Sequence, residues 1–162
     1  MRSPDGRTET EALYHLAEFV EWPPEETVVR GPTFNFCLLG QDPFGSLLDD
    51  AVLGHPIGEK PTMVVRGNQF GNMSRCDVLF ISSSEAKRLP KILQQVGAKN
   101  ILTVSDDADF VGDGGIIQFL NNKGHLTFVI NVDAAKRAGL RIQAQLLSLA
   151  KVVHDNEHTS KD

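Results

Sequence analysis

The chain has 162 residues, 41% of them hydrophobic and 23% charged, with a net charge of −5. This is enough chain for one domain with its own core, and the composition is that of an ordinary globular protein. Lysine and arginine are scattered, leaving no electrostatic footprint for nucleic acid, and no apolar run approaches the ~18 residues of a membrane span.

Residues 1–7 are polar and read as a flexible end rather than a signal peptide; a signal already removed is compatible with them. Thr8-x-x-Glu11 has the form of a capping box. Leu13, Leu16, Ala17 and Val20 follow at i, i+3, i+4 and i+7 and predict one face of a first helix. Trp22-Pro23-Pro24 ends it, because proline cannot continue a helix. Residues 33–39 predict an interior strand, with Phe34, Phe36 and Leu38 on one side and Asn35, Cys37 and Leu39 on the other. Residues 40–45 form a strand-to-helix turn, with Asp42 suited to the N-cap and Pro43 to the first helical position. The helix that follows reaches Val52 and stops at Gly54.

Residues 62–66 and 77–82 predict two further strands. Ser83 or Ser84 caps a helix whose inner face is Leu89, Ile92, Leu93 and Val96, and Gly97 ends it. A strand follows at residues 100–104. Residues 116–120 and 126–130 flank Asn121-Asn122-Lys123-Gly124 and predict a hairpin. From residue 130 to 153 a strand stops at Asn131 and a short helix stops at Gly139. A second helix then presents Ile142, Leu146, Leu149 and Val153 as a core-facing stripe. Residues 154–162 read as a disordered tail.

The predicted class is α/β: a single three-layer domain over residues 8–153. A mixed sheet of about six strands carries helices on both faces, and a C-terminal β-hairpin is followed by helices.

No catalytic constellation can be assembled from these residues. Ser82, Ser83 and Ser84 sit where a strand meets a helix, but the flanking glycines of a nucleophile elbow are absent, so they read as helix caps. The histidines at 15, 55, 125, 154 and 158 form no ligand-spaced set with cysteine or glutamate, so no metal site is expected. Residues 107–118 fail the calcium-loop pattern at Val111 and Gln118 and read as an acidic turn. The turn at residues 40–45 lacks the lysine of a phosphate loop. A binding or regulatory module without cofactor or catalytic residues is therefore expected, and not an enzyme. Cys37 and Cys76 fit two buried thiols or a bridge.

Several motifs are specific when taken in order. They are Phe19-Val20-Glu21-Trp22-Pro23, Cys37-Leu38-Leu39-Gly40, and Cys76-Asp77-Val78-Leu79-Phe80-Ile81-Ser82. Then come Leu102-Thr103-Val104-Ser105-Asp106 and Gly114-Gly115-Ile116-Ile117-Gln118-Phe119. The last and most specific runs from Asn131-Val132-Asp133-Ala134-Ala135-Lys136 to Arg137-Ala138-Gly139-Leu140-Arg141-Ile142. Over roughly residues 10–153 this order resembles the YfiR family of bacterial periplasmic proteins.

The resemblance implies a periplasmic homodimer that represses a membrane diguanylate cyclase, in that family YfiN, by binding its periplasmic domain. An outer-membrane lipoprotein would sequester the inhibitor, raising cyclic di-GMP and biofilm formation. It also implies a Cys37–Cys76 disulfide, since the periplasm is oxidising. A second family bridge does not carry over, because Gln118 stands at one of its cysteine positions. Gln143 stands where a family member has a histidine that contacts a partner or ligand. A partner contact in this region falls to the exposed side of the last helix, Arg141, Gln143, Gln145 and Ser148, or to the loop at Gly139. The alternative is a periplasmic small-ligand sensor or transport accessory domain, using a cleft at the carboxyl ends of the strands.

Overall fold

A computed structural model describes residues 4–24, 31–42, 44–52, 54–73, 75–97, 99–122 and 125–155. The order is α1 (Pro4–Glu18), β1 (Val20–Glu21), β2 (Phe34–Leu39), α2 (Ser46–Val52), β3 (Thr62–Gly67), β4 (Val78–Ile81) and α3 (Leu89–Val96). Then come β5 (Leu102–Ser105), β6 (Ile117–Asn122), β7 (His125–Asn131), α4 (Val132–Arg137), β8 (Arg141–Ile142), α5 (Ala144–Leu147) and β9 (Ala150–Val153). Turns of 3-10 helix lie at Phe70–Asn72 and Ser83–Arg88. Helix α1 already spans Thr8, so the capping box lies inside the helix and does not start it.

One mixed sheet has seven strands in the order β3-β2-β4-β5-β6-β7-β9; β1 and β8 form a separate antiparallel ribbon. Neighbours are parallel except β6 and β7, which make the predicted hairpin with Ile117 opposite Ile130. The chain steps outward from β2 to β3 on one side and to β4 on the other, so the strand order reverses between β2 and β4. Two cores follow from the alternation of side chains across the strands. Phe34, Phe36, Leu38, Val78, Phe80, Leu102 and Val104 meet α1, α2 and α4 on one face. Cys37, Leu39, Leu79 and Ile81 meet Leu89, Ile92 and Val96 of α3 on the other. The layered α/β arrangement expected from the sequence is thus present, with seven strands in its sheet rather than about six.

Cys37 and Cys76 are joined, with S–S 2.08 Å, inside the α3-side core. The bridge ties the middle of β2 to the entry of β4. Beside it the Asn35 N–H donates to Asp77 Oδ2 at 2.9 Å and the Asp77 N–H donates to Asn35 O at 3.0 Å.

The long last helix is not formed. Residues 141–153 break into β8, α5 and β9. Ile142 and Leu146 are buried as expected, but Leu149 is 70% exposed and Val153 lies in an edge strand. Strand pairing decides the outcome: Val20 pairs with Ile142, and Phe128 with Ala150. Local periodicity carries no information about such distant partners.

Candidate interaction surface

The most specific motif and the first one meet in space. Strand β8 comes from the motif ending at Ile142, and β1 from the motif beginning at Phe19. They pair with Glu21 opposite Arg141, and the Gln143 N–H donates to Phe19 O at 2.9 Å. Trp22 anchors the ribbon from below. Its ring meets Phe34 edge to face at 5.1 Å, and its indole N–H donates to Asn100 O at 3.1 Å. The Asn100 amide in turn donates to Ala138 O at 2.7 Å, which closes the link to the end of α4.

The four predicted contact residues sit on and after this ribbon, but not along one helix face. Arg141 projects from β8 with its side chain 81% exposed and pairs only loosely with Glu21, at 3.9 Å. Gln143 is half-buried at the N-cap of α5, and its side chain makes no cap hydrogen bond. Gln145 and Ser148 are exposed, and the Ser148 hydroxyl donates to Gln145 O at 2.8 Å. Leu149 follows directly. The arrangement is therefore a short polar row with one cation, two amides and a hydroxyl, next to an exposed apolar side chain. Polar groups around an apolar anchor suit contact with another protein. Leu149 was missed as a surface residue because its stripe position assigned it to the core. The β-branched pair Val152-Val153 was the local signal for a strand there.

The strand ends hold polar residues that serve the fold. Ser82 caps the 3-10 turn and accepts the Ser84 N–H, while the Ser84 hydroxyl accepts the Gln41 N–H at 3.0 Å. Gly40, at φ +95°, passes so close that a Cβ would come within 2.6 Å of the Glu85 side chain. Asp106 accepts the Ser83 N–H at 3.2 Å, and burial raises its pKa above the usual carboxylate value. His55 follows α2 at the opposite, amino-terminal end of the strands, where Thr62 donates to Val52 O. Ser82, Asp106 and His55 are therefore not brought together. Asp42 accepts the Phe44 N–H at 2.8 Å and caps a turn ahead of α2, which starts only at Ser46; Pro43 lies outside the described residues.

Gln118 has a structural role. Its amide donates to Ala108 O and its carbonyl accepts the Val111 N–H, both at 3.1 Å. These bonds stitch the acidic turn onto the sheet at a position where the family resemblance implies a cysteine. Among the described residues no group of His, Cys, Asp and Glu is arranged to hold a metal ion, and no helix is long and apolar enough to cross a membrane.

Fold and surface together define a class: a layered α/β module whose first and last motifs pair as a surface ribbon. The chain belongs to the YfiR/HmsC-like family, whose family model matches residues 7–151. No curated protein matches it.

Proposed function

We propose that this protein is a periplasmic regulator that binds a membrane signalling protein, a diguanylate cyclase, and represses it. Cyclic di-GMP and biofilm formation would fall under its control. The family match over residues 7–151 is the observation that carries this reading. The meeting of the first and last motifs in the β1–β8 ribbon supports a contact surface there. In this reading residues 8–153 act as one domain, and Arg141, Gln143, Gln145 and Ser148 contact the receptor. Repression requires preferential binding to the inactive receptor: each tenfold preference corresponds to about 1.4 kcal/mol of differential affinity.

The test is a pull-down with the cyclase's periplasmic domain. The wild-type protein is retained, and the Arg141→Glu, Gln145→Glu double variant binds about tenfold more weakly at unchanged thermal midpoint. Equal retention of both proteins would remove this surface from the account, and no retention of either would remove the cyclase.

A second reading has its own observation. A groove of about 240 Å³ near the carboxyl end of β3 is lined by Gln69, Phe70, Arg88, Lys91, Ile92 and Gln95. Arg88 is paired with Glu85, so Lys91 beside the aromatic ring is the cation this groove offers to a small organic anion. A ligand screen by thermal shift would favour this reading if such anions raise the midpoint in the wild type and not in Lys91→Glu.

A further inference from the structure

The groove between the turn Phe70–Asn72 and helix α3 has fixed walls. Ile92 is 3% exposed, and Phe70 packs against the α3-side core. The Met73 N–H donates to Phe70 O at 3.0 Å and closes the turn. The Arg88 guanidinium donates to Glu85 beside it, and at 2.7 Å to the carbonyl of Asn68, the residue before Gln69. That bond ties the turn to the start of α3. Lys91 and Gln95 stand one helical turn apart and share the face that lines the groove. Gly71 lines the groove with no side chain. A Cβ there would meet nothing within 4 Å, and its backbone is not left-handed.

The lining narrows the ligand. A volume of about 240 Å³ is below the ~300 Å³ at which drug-sized pockets begin, so the groove has room for about one ring. Among the described residues no carboxylate lines it, so an amine or an amino acid would find no counter-charge. With Arg88 committed to Glu85, Lys91 matches the single charge of a carboxylate better than a phosphate ester with close to two. Gln69 and Gln95 are both exposed along the groove. Each carboxamide has an acceptor oxygen and two N–H donors, the set that neighbouring hydroxyls require, since a hydroxyl both donates and accepts. The negative face of an aromatic ring such as Phe70 attracts the polarised C–H bonds of a sugar ring. A plain aromatic acid would use Lys91 and Phe70 and leave both amides to water.

We propose that this groove binds an acidic sugar, a hexuronate. Its carboxylate pairs with Lys91, its ring lies against Phe70, and its hydroxyls bond the amides of Gln69 and Gln95. The inference rests on the small-ligand reading above and names the ligand class for that groove. Such a sugar is met as the free acid or as one unit of a polymer, and the recognition chemistry is the same for both.

The test is a nuclear magnetic resonance titration of the isotope-labelled full chain with D-glucuronate. Saturable shifts are expected at Gln69, Phe70, Lys91 and Gln95. D-glucose lacks the charge and benzoate lacks the hydroxyls, so each should bind about tenfold more weakly. Lys91→Gln should bring glucuronate down to the level of glucose. Gly71→Leu should fill the groove and abolish the shifts at unchanged thermal midpoint. A uronate trimer that binds more tightly than the monomer assigns the groove to a polymer, and equal affinity assigns it to the free acid. Benzoate binding as tightly as glucuronate would overturn the sugar and leave the small-anion groove standing. Glucuronate shifts that survive Gly71→Leu would overturn the site. No shift with either uronate would overturn the proposal, and no shift with benzoate as well would remove the small-ligand reading with it.

Discussion

Gly115 lies under the ring of Phe110, where an added Cβ would come within 2.2 Å of it. Phe110 is fully buried and cannot retreat, so Gly115→Ala should cost about 2 kcal/mol, read as a shift in the urea midpoint. Gln118 holds the same turn through two side-chain hydrogen bonds. Gln118→Ala should cost about 1–3 kcal/mol and speed amide exchange at Val111, while exchange in β2 stays unchanged. The Cys37–Cys76 bridge spans a sequence separation of 39 residues. In the chain-entropy account a loop of that length is worth about 4 kcal/mol, so replacing both cysteines by alanine should lower the unfolding free energy by about that much. At this scale the sequence was legible in part where chemistry is local: a serine caps the turn after β4, but it is Ser82 on a 3-10 turn and not Ser83 or Ser84 on α3, whose N-cap is Arg88 without a side-chain bond. The Gln118 bonds were not legible, because they reach across a turn to Ala108 and Val111.

Strand β9 lies at one edge of the sheet, and polar bonds hold its end. The Asp155 N–H donates to Asp133 Oδ2 at 3.0 Å, and Asp155 accepts from the Asn131 amide at 2.9 Å and from Arg137. His154 adds a contact to Asp133 at 3.3 Å. The Asn131 amide and then Arg137 hold the Asp155 carboxyl below its ordinary value of 3.8. The Asp155 N–H and then His154 do the same for Asp133. Both groups therefore stabilise the fold above their ordinary value, and that stability is lost as pH falls through the depressed one. Asp106 has the opposite sign, since burial raises its pKa: its contribution is present at low pH and lost as pH rises through the raised value. Amide exchange at Val152 and Val153 should accelerate as pH is lowered through the carboxylate range, after correction for intrinsic exchange, and Asp155→Asn should flatten that response. Equal pH responses of the two proteins would contradict the latch. The elements of residues 34–105 were legible because each carries its own period and its own breakers. Residues 141–153 were not, because β8 and β9 exist only through partners more than a dozen residues away.

On the scale of the whole molecule, two cores on opposite faces of one sheet fix the framework. The β1–β8 ribbon closes the chain's first motif onto its last. The motifs between them build the buried strands of the sheet, and the family match spans all of them. Among the described residues, the groups that could have suggested catalysis cap turns or lie at opposite ends of the strands. The regulatory account then makes one demand: adding this protein must change the output of a membrane signalling enzyme. The direct measurement is cyclic di-GMP synthesis by membranes carrying the cyclase, with the protein titrated on the periplasmic side. The account predicts a saturable fall in synthesis, weakened in the Arg141→Glu, Gln145→Glu variant. Synthesis that stays constant at every concentration of the folded wild-type protein would contradict it.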